Sequence, residues 1–317
     1  MPRAQLPCEL CDFIVDYLHA DRAALGCCAL VCRAWVPASR FHLFERVSLS
    51  KKDGYAAARL DVLLASPQAT FARAVRRLDL HNALAPIQIR APRTGRLHVK
   101  TLLALVPRIA QLQDINILAL SDLPFDLLPA FPKVHTLYLA DLSAGPALLR
   151  LANYLPNLAH LTLKRVHAIP YRAPVSPTLK MEKLRSLTVR GSSIAFLGWL
   201  AALGPNICTL DLGDLPPSEV RYLTKYLEAL ARPLERLKVG LSPGTDVHEF
   251  AWDELAPFLD KDTRLVVCVE MEERDEDEDS EDSEDDRTEF TLRAQFPELE
   301  KRGMLDVRIS RVWAFGG

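Results

Sequence analysis

The sequence predicts an α/β chain: a three-helix unit at the N-terminus, then an irregular repeat solenoid built on a parallel sheet. Three observations lead there. A short apolar-x-apolar core recurs along most of the chain. Helix-like stretches separate the cores. Ahead of the first core, apolar residues fall at helical spacing instead.

The cores come first in the argument. They read "FERVSLS", "VRRLDLHNA", "LALSDL" with Ile115 in front, "VHTLYLADL", "LAHLTLKRV", "LRSLTVRGS", "ICTLDLGDL" and "LERLKVGL". Their first apolar residues are 47, 78, 118, 137, 161, 187, 210 and 237, at intervals of 31, 40, 19, 24, 26, 23 and 27. Each core is a strand: alternation puts Leu137 and Leu139 on one face and Tyr138 on the other. "TLLALVPRIAQL" and "PPSEVRYLTKYLEALARP" read as helices between strands, the second opened by Pro216, Pro217, Ser218 and Glu219 and stopped by Pro233. Strand then helix, every 20 to 30 residues, resembles a leucine-rich-repeat solenoid, whose units bury their apolar faces only by stacking. The copies are degenerate: Asp122, Asp141 and Arg165 stand near the turn where Asn or Cys is usual. Long loops are expected at 81–98 and 167–180. An α/β sandwich of unrelated strands is the alternative, and eight matches to one pattern weigh against it.

Further on, "RLVVCVEM" and "LDVRIS" read as strands, with "LRAQFPELEKRG" a helix ending at Gly303. Between them the window Glu270–Glu289 holds fourteen acids and two arginines, leaving the remainder at +10 within a net charge of −2. Such a run repels itself and buries nothing, so a disordered acidic insertion is expected at about 271–288. Ser283, followed by Glu284, Asp285 and Asp286, resembles an acid-directed phosphorylation site. Phosphate would deepen the charge of a segment that competes with partners for the basic residues of the repeats. Those basic residues are scattered without interleaved aromatics, so nucleic acid is not an expected partner. No apolar run reaches a membrane span and no leader-like segment opens the chain. Seven cysteines without staple-like spacing fit a reducing cytoplasmic or nuclear compartment.

The N-terminal helices follow. Leu10, Phe13, Ile14, Tyr17 and Leu18 share one helical face, which Cys11 extends, and Pro7 suits the entry. Asp21 is an N-cap candidate for a second helix carrying Leu25, Cys28, Ala29 and Cys32 at i, i+3, i+4 and i+7. Gly26 weakens that helix slightly. Pro37 and Ser39 suggest a break in a third helical stretch. Cys27, Cys28 and Cys32, with Cys8 and Cys11 upstream, raise zinc as a rival reading. "CELCDF" lacks the Gly or Pro that turns a zinc knuckle, and cysteine is commonly buried. No base is patterned with a catalytic thiol, and neither a P-loop, a GxGxxG nor an HExxH occurs.

The run Leu6-Pro7-x-Glu9-Leu10, then Ile14, Leu18 and Leu25, then Leu30-Val31-Cys32-Arg33-x-Trp35, resembles the F-box motif. The continuation "SRFHLFERVSL" looks like fungal F-box proteins. The resemblance implies an F-box over 4–46 and a degenerate leucine-rich-repeat domain over 47–317. It implies a non-enzymatic, cofactor-free adaptor of a Skp–cullin–F-box ubiquitin ligase, with catalysis in other subunits. The F-box would dock the Skp subunit, and through it a cullin, by Leu6, Pro7, Leu10, Ile14, Leu18, Leu30, Val31, Cys32 and Trp35. Some of these must be core, and Trp35 is the expected hot spot. The repeats would hold a protein substrate. A scaffold acting outside a ligase is the alternative.

On the repeats, residues flanking the inward leucines line one face: Arg77, Asp79, His81; Ile117, Ala119, Ser121; Thr136, Tyr138, Ala140; His160, Thr162, Lys164; Ser186, Thr188, Arg190; Thr209, Asp211; Arg236, Lys238. A solvated sheet face is the plain reading. The functional reading is a groove for an acidic or phosphorylated substrate segment, with Tyr138, Lys164, Arg190, Arg236 and Lys238 as its contacts.

Overall fold

The computed structural model describes residues 7–50, 56–66, 70–81, 109, 111–118, 131–144, 151–168, 181–191, 206–213, 215–230, 232–241, 250, 252–259, 262–272 and 284–312. The chain is α/β and divides into two units, Met1–Leu137 and Tyr138–Gly317.

The first unit opens with three helices, α1 (Cys8–Tyr17), α2 (Arg22–Val31) and α3 (Val36–Glu45). The Pro7 carbonyl accepts from the Leu10 and Cys11 amides at 3.1 and 3.2 Å and starts α1. Asp21 caps α2 as expected, its Oδ1 accepting from the Ala23 and Ala24 amides at 3.0 Å. Pro37 does not break the third helix. It stands in the first turn of α3, where a missing N–H costs nothing. Cys32 is not on the α2 stripe either: the helix stops at Val31, and Cys32 is extended and exposed. Val15, Leu25 and Cys28 are the buried core, with Leu18, Trp35, Ala38 and Leu43 packed on it. Polar ties run outside it. His42 Nε2 donates to Asp16 Oδ1 at 2.7 Å, and the Arg22 guanidinium donates to the Leu43 carbonyl at 3.0 Å.

A Cβ at Gly26 would meet nothing within 4 Å. Gly26→Ala is therefore expected to stabilise the protein by about 0.5–1 kcal/mol through helix propensity and a less free unfolded chain. A urea titration checks it, and a loss of stability would show that the site needs glycine.

The rest of the unit holds β1 (Arg46–Ser50), α4 (Ala56–Ala65), β2 (Arg77–His81) and β3 (Asp114–Leu118). The three strands are parallel neighbours in chain order. The register Leu78↔Ile115 corrects the third core, which begins at 115 and not 118. "DINILALSDL" alternates acceptably in both registers. The Arg76 carbonyl decides between them by accepting from the Gln113 and Asp114 amides at 2.8 and 3.0 Å. Asp114 and Asn116 therefore take the outward places expected of Ile117, Ala119 and Ser121. Most of the helix expected at "TLLALVPRIAQL", Leu6, the expected loops except His81, His167 and Ala168, and Ser283 lie outside the described residues.

The unit boundary falls near the start of β4 (Thr136–Ala144). The second unit continues with α5 (Leu151–Tyr154), β5 (His160–Ala168), β6 (Ser186–Arg190), β7 (Thr209–Gly213), α6 (Val220–Glu228), β8 (Arg236–Leu241), α7 (Trp252–Leu255) and β9 (Arg264–Glu272). It closes with α8 (Glu284–Gln295), α9 (Pro297–Lys301) and β10 (Leu305–Val312). From β4 to β10 the strand order is the chain order.

One local geometry recurs here. A turn joins two buried residues, Leu155 with Leu158 and Met181 with Leu184, both at 3.1 Å. Then one carbonyl serves the two amides entering the next strand: Ala159 for Arg185 and Ser186, Arg185 for Cys208 and Thr209, Cys208 for Glu235 and Arg236. This fixes the register that lines up Leu161, Leu187, Leu210, Leu237 and Leu265 in one buried row. Val220, Leu223, Tyr226 and Leu227 of α6 are buried too, and burial pushes the Tyr226 phenol well up. The residue four beyond the first leucine of a core has positive φ at Asp141, Arg165 and Gly191. This left-handed residue stands where the usual Asn or Cys is missing.

At the C-terminal end the expected strands form. β9 runs to Glu272 and α8 begins at Glu284, so residues 271–272 and 284–288, expected within a disordered insertion, are strand and helix instead; 273–283 lie outside the described residues. The helix expected over "LRAQFPELEKRG" starts earlier and is split, because Phe296, which precedes Pro297, leaves the helical conformation with φ −128° and ψ 59°. Gly303 ends it in the left-handed conformation, its amide bonded to the Glu300 carbonyl at 2.9 Å.

Asp306 on β10 accepts from Arg308 at 2.7 and 3.1 Å and from Arg264 at 3.2 Å. The Arg308 hydrogen bonds, with the charges of both arginines, hold its carboxyl below the usual range. A depressed carboxylate stabilises above its unfolded pKa, and the gain is lost as pH falls through the folded one. Asp306→Asn is expected to lower the melting temperature at neutral pH. The gap to wild type should close below about pH 4, the ordinary aspartate range. A gap unchanged between neutral and acid melts would contradict this.

Candidate functional site

Two surfaces concentrate chemistry, one in each unit. The first is apolar. On α1 the stripe Leu10, Phe13, Ile14 and Tyr17 faces away from the core. Phe13 is 71% and Tyr17 82% exposed, while Cys11 and Val15 point inward. The period of 3.6 is as expected, but the buried face is the neighbouring one: Cys11 shares it with Val15 and Leu18, not with Ile14. On α2, Leu25 and Cys28 are buried, whereas Leu30 and Val31 at the helix end are 87% and 64% exposed. Three helices of ten residues cannot enclose this many apolar side chains.

The expected docking residues thus divide. Pro7, Leu10, Ile14, Leu30, Val31 and Cys32 lie at the surface. Leu18 and the half-buried Trp35 pack on the core, so truncating Trp35 removes core contacts. Phe13 and Tyr17 were missing from the expected contacts. The signal was present in the stripe they share with Leu10 and Ile14. As for metal, no cluster of three or more Cys, His, Asp or Glu able to hold an ion exists among the described residues.

The second surface is a basic hollow of about 290 Å³ in the second unit. The register aligns Lys164 on β5, Arg190 on β6 and Gly213 on β7. Farther along the same row, Gly240 on β8 pairs with Cys268 on β9. Arg165, Gly191, Asp211, Lys238 and Leu241 complete the lining. Arg190 donates to Asp211 Oδ2 at 2.9 Å, and Lys238 Nζ stands 3.7 Å from the same oxygen. Arg165 forks onto Asp141 at 2.5 and 2.9 Å. That hydrogen bonding, with the charges of Arg165 and Lys164, holds the Asp141 carboxyl below its usual range.

Of the five expected substrate contacts, the fold brings Lys164, Arg190 and Lys238 to one opening. Tyr138 is half-buried on β4 outside the lining. Arg236 belongs to another row, paired with Thr209 and Arg264. Arg165, Gly213, Gly240 and Cys268 were not foreseen. The glycines in "LDLG" and "KVGL" were the legible signal, each an empty place in a row of side chains.

No protein-family model matches the chain. No curated protein is significantly similar to it. Among the described residues, no helix is long and apolar enough to cross a membrane.

Proposed function

We propose that the chain is a substrate receptor of a Skp–cullin–F-box ubiquitin ligase. In this reading the three-helix unit is an F-box that docks the Skp subunit, and the strands that follow are a degenerate leucine-rich-repeat solenoid that holds the substrate. The observation that carries the reading is the outward apolar stripe of α1 together with Leu30 and Val31, presented by the segment whose sequence resembles an F-box. Isolated exposed leucines are ordinary. A whole helical stripe left in water by a small unit is not. The basic hollow supports the second half of the proposal, since it gives the repeats a defined place for an acidic substrate segment. Ubiquitin transfer belongs to the other subunits, so the chain itself is not an enzyme and needs neither metal nor cofactor. The proposed setting is the cytoplasm or nucleus.

The test is coexpression of the tagged chain with a Skp subunit and a cullin. Retrieval of both supports the ligase reading. Retrieval of Skp without cullin moves the chain to a scaffold outside a ligase. Retrieval of neither removes the proposal.

A further inference from the structure

β10 borders the sheet. Among the described residues it pairs with β9 alone, in an unbroken parallel register from Leu305↔Leu265 to Val312↔Glu272. Its free edge lacks the usual guards against pairing: the strand has no proline, and no bulge interrupts the ladder. One bond sets the direction of the backbone groups. The Leu265 amide donates to the Met304 carbonyl at 2.9 Å, so the even-numbered residues of β10 turn their amides and carbonyls toward β9. Leu305, Val307 and Ile309 therefore turn theirs to the free edge.

The apolar layer is open at the same place. Val267 and Val269 of β9 are 0% and 4% exposed. Their β10 partners, Val307 and Ile309, are only half-buried. This holds although α8 packs on β10 and buries its Leu292 completely.

We propose that a second copy of the chain adds to this edge, β10 against β10, antiparallel about a two-fold axis perpendicular to the sheet. Such an axis keeps the buried faces of both copies on one side, so a residue opposes only a residue of its own face. The axis then passes through a residue, and the charges choose which. At Asp306 or Arg308 it sets a like charge against itself. At Leu305 or Ile309 it gives neither charge an opposite partner. At Val307 it sets Asp306 of each copy against Arg308 of the other, as a non-hydrogen-bonded pair whose side chains stand close. Arg308 already donates to Asp306 within one copy at 2.7 Å, so the four charges alternate around the axis. In this register Val307 pairs with its own copy and Leu305 with Ile309, each pair exchanging two backbone hydrogen bonds. The half-buried Val307 and Ile309 gain apolar neighbours. Any extended segment could approach an open edge, but the Asp-x-Arg spacing is complementary to itself, and that favours a second copy. The inference goes beyond the proposed function and involves neither a Skp subunit nor a substrate.

The full chain is sedimented over a concentration series spanning the micromolar range, where it is expected to shift from one copy to two. Asp306→Arg and Arg308→Asp should each weaken self-association at least about tenfold, because like charges then meet across the axis. Mixed in equal amounts, the two variants should pair with each other, since every opposed charge is again of opposite sign. A role for these residues confined to the stability of one copy would not produce that pairing. A melt of each variant establishes that it is folded. Hydrogen exchange of the wild type needs no variant: the Val307 and Ile309 amides should slow as concentration rises, while those of Asp306 and Arg308, committed to β9, change little. The proposal is overturned if the wild type stays a single copy throughout, or if both folded variants associate as the wild type does. It is also overturned if the folded variants fail to pair when mixed, or if exchange at Val307 and Ile309 is independent of concentration.

Discussion

Phe13→Asp and Leu30→Asp, made singly in the full chain, are each expected to weaken capture of a Skp subunit at least about 30-fold, the roughly 2 kcal/mol of a central interface anchor. Both side chains are mostly in solvent in the free chain, so neither substitution opens a cavity. The charge acts only when a partner covers it, where an unpaired buried carboxylate is strongly unfavourable. The melting temperature should therefore move by no more than a few degrees. Val15→Ala is the contrast: Val15 is fully buried, so this change should lower stability and affect capture only through unfolding. Trp35→Ala mixes both effects, because Trp35 touches the core. A binding titration with a melt of each variant separates them. Capture within threefold of wild type for both aspartate variants would take α1 and α2 out of the interface.

Arg46→Leu is expected to cost about 3 kcal/mol of stability. The Asp79 side chain is 1% exposed, near the middle of β2. Arg46 Nε donates to Oδ2, and Asn116 Nδ2 donates to Oδ1 at 2.5 Å. Taking a carboxylate out of water is tolerable only while donors replace the lost hydration. Arg46 itself is more than half exposed, so its own loss leaves no hole in the core. The cost comes from the charge left on Asp79. Asp79→Asn in the Arg46→Leu background should recover more than half of the loss, because a neutral amide needs no counter-charge. The double-mutant cycle reads this as a positive coupling of more than 1 kcal/mol. Additive losses would mean that the pair is no more than a surface contact.

Much of the fold was legible in the residues. The alternation at Leu161-x-Leu163, Leu187-x-Val189 and Leu210-x-Leu212 placed three strands with their inward faces correct, since a period of two leaves little choice once one face is buried. Asp21 and Gly303 marked helix ends because each satisfies a terminal backbone group in a way few residues can. Two misreadings share a cause. In "DINILALSDL" two registers satisfy the same alternation, and the backbone carbonyl of Arg76, just ahead of β2, selects one. In α1 two apolar stripes lie side by side, and only the positions of α2 and α3 decide which is covered. The substrate contacts were legible as a set of cations. That Lys164, Arg190 and Lys238 share one opening follows from strand register.

By itself, then, the sequence determined the ten strands and the three N-terminal helices as elements of their kind, because helix and strand periods are local properties of a chain. It also determined the resemblance of the first helices to an F-box. Tertiary structure decided which residues face water: Phe13 and Tyr17 outward, Val15 inward, Asp79 buried with two donors. It also made a hollow where Gly213 and Gly240 fall in one row. These are relations between residues far apart in the chain, set by which backbone groups bond across strands, and no local pattern carries them.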